Sequence, residues 1–324
     1  MSQETAPNAN PPEPAPVPRA PRFDVEPFQP DGGVPPAGFL LLVGGVLATA
    51  AFLGFLLAVA VESFYLVVLF PIIAGALLGG AGRGLVRAGR IRSPAVAGTV
   101  AAVAGLAMMF LMHYFCYIHD LYNAGLVGAP PINVFQYINL EAHEGVLIGE
   151  NGANGINLGY VGSYIYFAFE TLLAVGFAVG LAYGPAAEPF CRSCNRWKQG
   201  RTLAALPHVP QRVAVDAVEV GALLDLLDTG VPIGGGNNNQ FLKVFACPQC
   251  GGAGTVAAAV EQITMDSRGR GRTKLLGRSV YPGEVLALIE EYSPWRRPPA
   301  ASEAAPRDVD DRPSELRRDD VRLE

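Results

Sequence analysis

Charge is scarce in this chain: of 324 residues only 16% are Asp, Glu, Lys or Arg, while 50% are hydrophobic. That balance excludes an ordinary water-soluble composition and points to a membrane protein. The net charge of -5 is modest, and the basic residues are not gathered into a patch with interleaved aromatics, so no nucleic-acid partner is expected. The N-terminus lacks a basic stretch running directly into an apolar core, which excludes a cleavable signal peptide from the reading. The chain also has no Walker loop, dinucleotide fingerprint, G-x-S-x-G elbow or H-E-x-x-H pair. The glycine run at 234–236 lacks the lysine and following helix that phosphate binding needs. Nothing therefore predicts a catalytic residue. Cysteines number only five. Four fall into two C-x-x-C pairs and Cys116 lies inside an apolar run, which is metal-site spacing rather than a disulfide framework.

What is present is long apolar runs. Residues 1–36, rich in Pro, Ala, Asn and Glu, are read as a disordered tail. Four spans follow, at about 39–61, 64–82, 94–118 and 160–183. Each is uncharged, or nearly so, over the roughly 20 residues needed to cross a bilayer core of about 30 Å. Glu62 and Ser63 form the turn between the first two spans, and Pro71 is expected to kink the second. Small residues recur every four positions (Gly75/Gly79, Gly80/Gly84, Gly98/Ala102, Gly176/Gly180/Gly184). Such spacing lets helix backbones approach closely in a four-helix bundle or in a homo-oligomer.

The connection 119–159 contains no Lys or Arg. The second-to-third loop holds Arg83, Arg87, Arg90 and Arg92, and the stretch after the last span holds Arg192, Arg196, Lys198 and Arg201. By the positive-inside rule both termini are cytoplasmic, and the reading is a multi-pass protein of the plasma (inner) membrane. Within the outer connection, 131–145 predicts an amphipathic helix with Val134, Phe135, Ile138 and Ala142 on one face and Gly145 as its stop. Two short strands flank the Asn/Gly-rich turn ENGANG.

After Pro185 the composition turns to that of a small α+β unit, read over 185–292. A capping pattern at Asp216–Glu219 predicts one helix carrying Val220, Leu223, Leu224 and Leu227. A strand then delivers Cys247, a hairpin follows around DSRGRGR, and residues 282–292 close as a helix. Residues 293–324 are read as a second disordered tail. Two thiolates on each of two tight turns complete a tetrahedral site, so Cys191, Cys194, Cys247 and Cys250 are the candidate ligands of a structural zinc. Iron held by four thiolates uses similar knuckles, and a thiol redox role is the other use of C-x-x-C. Only six residues separate Gly184 from Cys191, so the site is expected at the membrane surface, with 195–246 looping out before the second knuckle.

These two knuckles, with a hairpin after the second, resemble the zinc-ribbon class, which implies a structural zinc held by four cysteines in the C-terminal third. The membrane half resembles polytopic bacterial membrane proteins generically. CPQCGGAG at 247–254 is similar to one repeat of the J-protein co-chaperones, but that family implies four repeats and a J domain, both missing here.

Inside the spans, Glu170 is a carboxylate at membrane depth and His113 lies at a comparable level. Together, with Tyr114 or Tyr166, they form the candidate intramembrane polar site. Glu141, His143 and Glu144 are read as a solvated face, Cys116 as a small core residue, and Trp197 as packing near the first knuckle. The leading functional expectation is a non-enzymatic membrane scaffold whose zinc-binding module meets a cytoplasmic protein partner. A small transporter or permeation component using Glu170 is the alternative, followed by a membrane-bound thiol redox protein.

Overall fold

The computed structural model describes residues 22–63, 69–126, 132–148, 156–231, 239–251, 253–265 and 271–292. Its first half contains four long helices, α1 (Pro36–Ser63), α2 (Leu69–Gly89), α3 (Pro94–Asn123) and α5 (Gly159–Ala186), with the short α4 (Val134–Glu144) before the last. Proline opens α1 and α3, where the missing N–H has no intrahelical partner to lose, and Ser93 caps α3 by accepting from the Val96 N–H. All four long helices are long and apolar enough to cross a bilayer. Their outward faces carry Leu40, Phe52, Phe169 and Leu172, all exposed, where a bundle in water would carry polar side chains.

The bundle packs α1 on α3, and α5 on both α2 and α3. Small residues set the closest approach. Ala174, Ala178 and Ala182 are fully buried against the α2 face that carries Gly75, Gly79 and Gly82. Leu42 and Val46 of α1 and Ala101, Ala104 and Met108 of α3 fill the rest of the interior.

The second half is an α+β unit. In chain order it holds β4 (Phe190–Cys191), β5 (Arg196–Trp197), β6 (Gln199–Ala205), α6 (Gln211–Glu219), α7 (Leu223–Thr229), β7 (Gln240–Ala246), β8 (Val256–Met265), β9 (Gly271–Tyr281) and α8 (Val285–Tyr292). An N-terminal strand, β1 (Glu26–Pro27), completes an antiparallel sheet in the order β1-β9-β8-β7-β6. The period-2 alternation of β8 divides its side chains between two faces. Val256, Ala258 and Val260 meet Leu223, Leu227 and Ile289 from the helices on one side. Ala257 and Ala259 meet Phe245 and Phe28 on the other. On that second face the Arg278 guanidinium lies 4.7 Å from the Phe28 ring and 5.0 Å from the Phe245 ring. It donates to the carbonyl of Ala187, just past α5, at 3.1 Å. The sheet thus rests on the end of the helical bundle.

Several sequence expectations need correction. The tail assigned to 1–36 is structured from Arg22 onward because its few apolar residues find partners: Phe23 packs edge-on to Tyr281, and Glu26–Pro27 pairs with Ser279–Val280. Residues 1–21 and the tail at 293–324 lie outside the described residues. Helix α1 runs through Ser63, so Glu62 and Ser63 are not the turn, and 64–68 are outside the described residues. Pro71 is the third described residue of α2, and the kink expected there falls against residues 64–68, outside the described residues. The single helix expected from Asp216 is two, because Gly221 at φ +79° breaks the chain between them, and Asp216 lies inside α6 rather than at a cap. Residues 195–246 do not loop out: they supply β6, α6, α7 and β7 to the main sheet and its core. In the connection between α3 and α5, β2 (Leu147–Ile148) pairs with β3 (Ile156–Asn157) as expected. The buried face of α4, however, is Tyr137 and Ala142, with Phe135 exposed.

Candidate metal centre and the Glu170 cavity

The two C-x-x-C pairs sit on matching turns. The first follows β4, whose residues Phe190 and Cys191 pair with Trp197 and Arg196 of β5. The second follows β7, where Cys247 and Gly251 bridge. Immediately after each pair the backbone enters the left-handed region, at Asn195 (φ 51°) and Gly251 (φ 53°). Asn and Gly are the residues that tolerate this region. The reversal turns both cysteines of a pair to one side. All four Sγ atoms lie within 4.8 Å of one another, with Cys191 and Cys250 3.7 Å apart. Tetrahedral bonds of about 2.3 Å to a shared ion require sulfurs about 3.8 Å apart, so the donor set fits a four-coordinate metal.

The electrostatics favour the same use. Burial opposes ionisation of Cys247, but the backbone N–H groups of Cys250 and Gln249, together with hydrogen bonds from the Cys250 and Cys194 thiols, outweigh it and bring the thiol down to about 6. Burial, reinforced by hydrogen bonds with the other three sulfurs, pushes Cys194 up to about 12. One thiolate thus suppresses the ionisation of a neighbour, and a bound cation removes that conflict. Lys198 is buried beside the cluster, donating to the Thr255 carbonyl at 2.6 Å and its hydroxyl at 2.9 Å. Burial lowers its pKa against the opposing pull of the Cys191, Cys250 and Cys247 sulfurs. Its ammonium offsets part of the negative charge that four thiolates leave around a divalent ion.

The first knuckle is tied to the bundle. Arg87 of α2 donates from Nη2 to both carboxylate oxygens of Glu188, at 2.8 and 2.6 Å. The Trp197 indole N–H donates to the Arg87 carbonyl at 3.3 Å and its ring meets Phe190 edge-on. Arg92 lies 4.8 Å over that same Phe190 ring. The half-buried Asp31 carboxylate pairs with both Arg92 and Arg192, joining the N-terminal segment, the α2–α3 loop and the knuckle. Sequence reasoning assigned these arginines to topology and read Asp31 as tail. Only the fold brings them together.

At the other end of the bundle, His113 and Glu170 line one cavity of about 310 Å³. They are not bonded to each other. His113 Nδ1 is 3.3 Å from Glu141 Oε2, while Glu170 accepts from the Tyr166 hydroxyl. Tyr114 lies on the bundle's exposed surface. Glu141, expected on a solvated face, instead turns inward beside Tyr137, whose hydroxyl donates to Asp120 at 2.7 Å and lies 3.3 Å from the Glu141 carboxylate. Burial first, then the Asp120 bond and the Glu141 charge, raises the Tyr137 pKa, so its hydroxyl stays a neutral donor. The i, i+4 relation of Tyr137 and Glu141 was the available signal, had the helix face been centred on Tyr137. His143 stacks on Tyr160 at 4.2 Å and is not part of the site. Cys116 lines the cavity in a half-buried position.

No family model, no curated protein and no solved structure gives a match to this chain, so its functional reading rests on these two sites.

Proposed function

We propose that this protein is a multi-pass scaffold of the plasma (inner) membrane, with both termini cytoplasmic, in which a structural zinc held by Cys191, Cys194, Cys247 and Cys250 locks an α+β module onto the membrane bundle. In this reading the module presents a fixed surface to a cytoplasmic protein partner. The observation that carries it is the convergence of four sulfurs within 4.8 Å of one another on a knuckle that is itself clamped to the bundle by Arg87–Glu188 and by Asp31. A zinc ion there would close the 52-residue excursion from Cys194 to Cys247 and contribute folding free energy directly. The arginines of the α2–α3 loop and of the knuckle on one side, against a connection without Lys or Arg on the other, support the orientation.

Metal analysis of the full-length protein in detergent tests the reading. One zinc per chain is expected, falling to none in Cys194→Ser and Cys247→Ser. Chelation should raise hydrogen exchange across 188–198 and 247–255. A folded, metal-free chain whose exchange is indifferent to chelator would refute it, and stoichiometric iron would replace zinc with a redox-capable centre. Reporter fusions at the two ends check the topology.

A further inference from the structure

The cavity around Glu170 is separate from the metal centre, and its lining has a definite chemical character. Leu57 of α1, Phe70 and Pro71 of α2, Met112 of α3 and Phe167 of α5 form an apolar wall. The polar groups are Glu170, Glu141 and Glu144 with His113, and no Lys or Arg lines it among the described residues. The three carboxylates are graded in depth: Glu170 is 7% exposed, Glu141 half-buried and Glu144 exposed at the rim. Glu170 accepts from the Tyr166 hydroxyl, and no Lys or Arg among the described residues lines the cavity to pair with a carboxylate so deeply buried.

We propose that this cavity binds a small organic cation, an ammonium group carried on an apolar body, with its charge at Glu170 and Glu141 and its apolar part against the wall. Volume and character agree. About 310 Å³ falls at the lower end of small-molecule pockets, which pair mostly apolar walls with a few placed polar groups. The Phe70, Tyr166 and Phe167 rings line the same cavity, and aromatic rings attract ammonium groups. An inorganic divalent ion fits less well: among the described residues, only the four cysteines lie close enough to share a metal. A phospholipid headgroup fits less well too, because its phosphate would enter a site lined by three carboxylates, where His113 already faces Glu141 and no Lys or Arg is present among the described residues.

Calorimetric titration of the full-length protein in a neutral detergent with benzyltrimethylammonium tests this, using its uncharged carbon isostere neopentylbenzene as the comparison. Saturable binding of the ammonium is expected, at least tenfold tighter than the isostere and weakened at least tenfold in Glu170→Gln. Glu141→Gln serves as a second variant should Glu170→Gln fail to fold, with the same direction expected. Equal affinity for charged and neutral probes, unchanged affinity in a folded variant, or absence of ammonium binding would each overturn the proposal. So would binding of manganese(II) or of a short-chain phosphatidylethanolamine at this cavity in preference to the ammonium.

Discussion

Glycines one residue apart on α2 should respond oppositely to the same methyl group. A Cβ added at Gly79 would stand 2.8 Å from the Leu181 Cβ, 2.9 Å from the Phe177 carbonyl oxygen and 3.0 Å from the Ala178 Cα of α5, and Gly75 meets the backbone of Ala174 in the same way. Ordinary carbon contacts lie at about 3.5–4.0 Å, and two of the three Gly79 neighbours are backbone atoms, so the helices must move apart. Gly80 and Gly84 have no such neighbour within 4 Å. In all four positions Gly→Ala gains about 1 kcal/mol of helix propensity, a contribution that cancels when the pairs are compared. What remains is overpacking, about 1–3 kcal/mol per inner site. For one site, a central value near 2 kcal/mol corresponds to a difference of roughly 4–8 °C in Tm. Scanning fluorimetry in detergent on Gly75→Ala, Gly79→Ala, Gly80→Ala and Gly84→Ala reads this directly. Equal Tm values at inner and outer sites would refute the α2–α5 contact as the place where the bundle is tightest.

Three further outcomes follow from the α+β unit and its clamp. The buried Tyr281 hydroxyl donates to the Val218 carbonyl at 2.6 Å; Tyr281→Phe leaves that carbonyl unsatisfied and should cost about 1–3 kcal/mol, seen as a lower denaturation midpoint with unchanged metal content. Asp31→Asn removes the charge shared by Arg92 and Arg192, and limited proteolysis should accelerate near 188–198 while α3 stays protected; an unchanged cleavage pattern would show that the clamp does not hold the knuckle. Lowering the pH should release metal from the cysteine cluster, since thiolates rather than thiols are the ligands. The depressed Cys247 thiol would be the last of the four to reprotonate, and release that begins only on raising the pH would contradict thiolate ligation.

The four long helices and the two knuckles were readable from the sequence because each depends on local information. A run of apolar residues longer than a bilayer is thick specifies its own helix, since every backbone group is satisfied within the segment. A C-x-x-C followed by Asn195 or Gly251 specifies its own turn. The hairpin of β8 and β9 was visible for the same reason, through two strand-like runs on either side of DSRGRGR. Long-range partners were not. Nothing local distinguishes Phe23 and Asp31 from the rest of a proline-rich tail, yet a sheet edge and two arginines distant in sequence order them. The 52 residues between the knuckles resemble an insertion until β6 and β7 pair and make them part of the sheet. Glu141 turns inward only because α3 and α5 offer Tyr137 and Ala142 a surface to bury against. Composition and spacing by themselves determined what each segment is. Tertiary structure decided which segments meet, because burial and ion pairing depend on groups that the chain separates by dozens of residues.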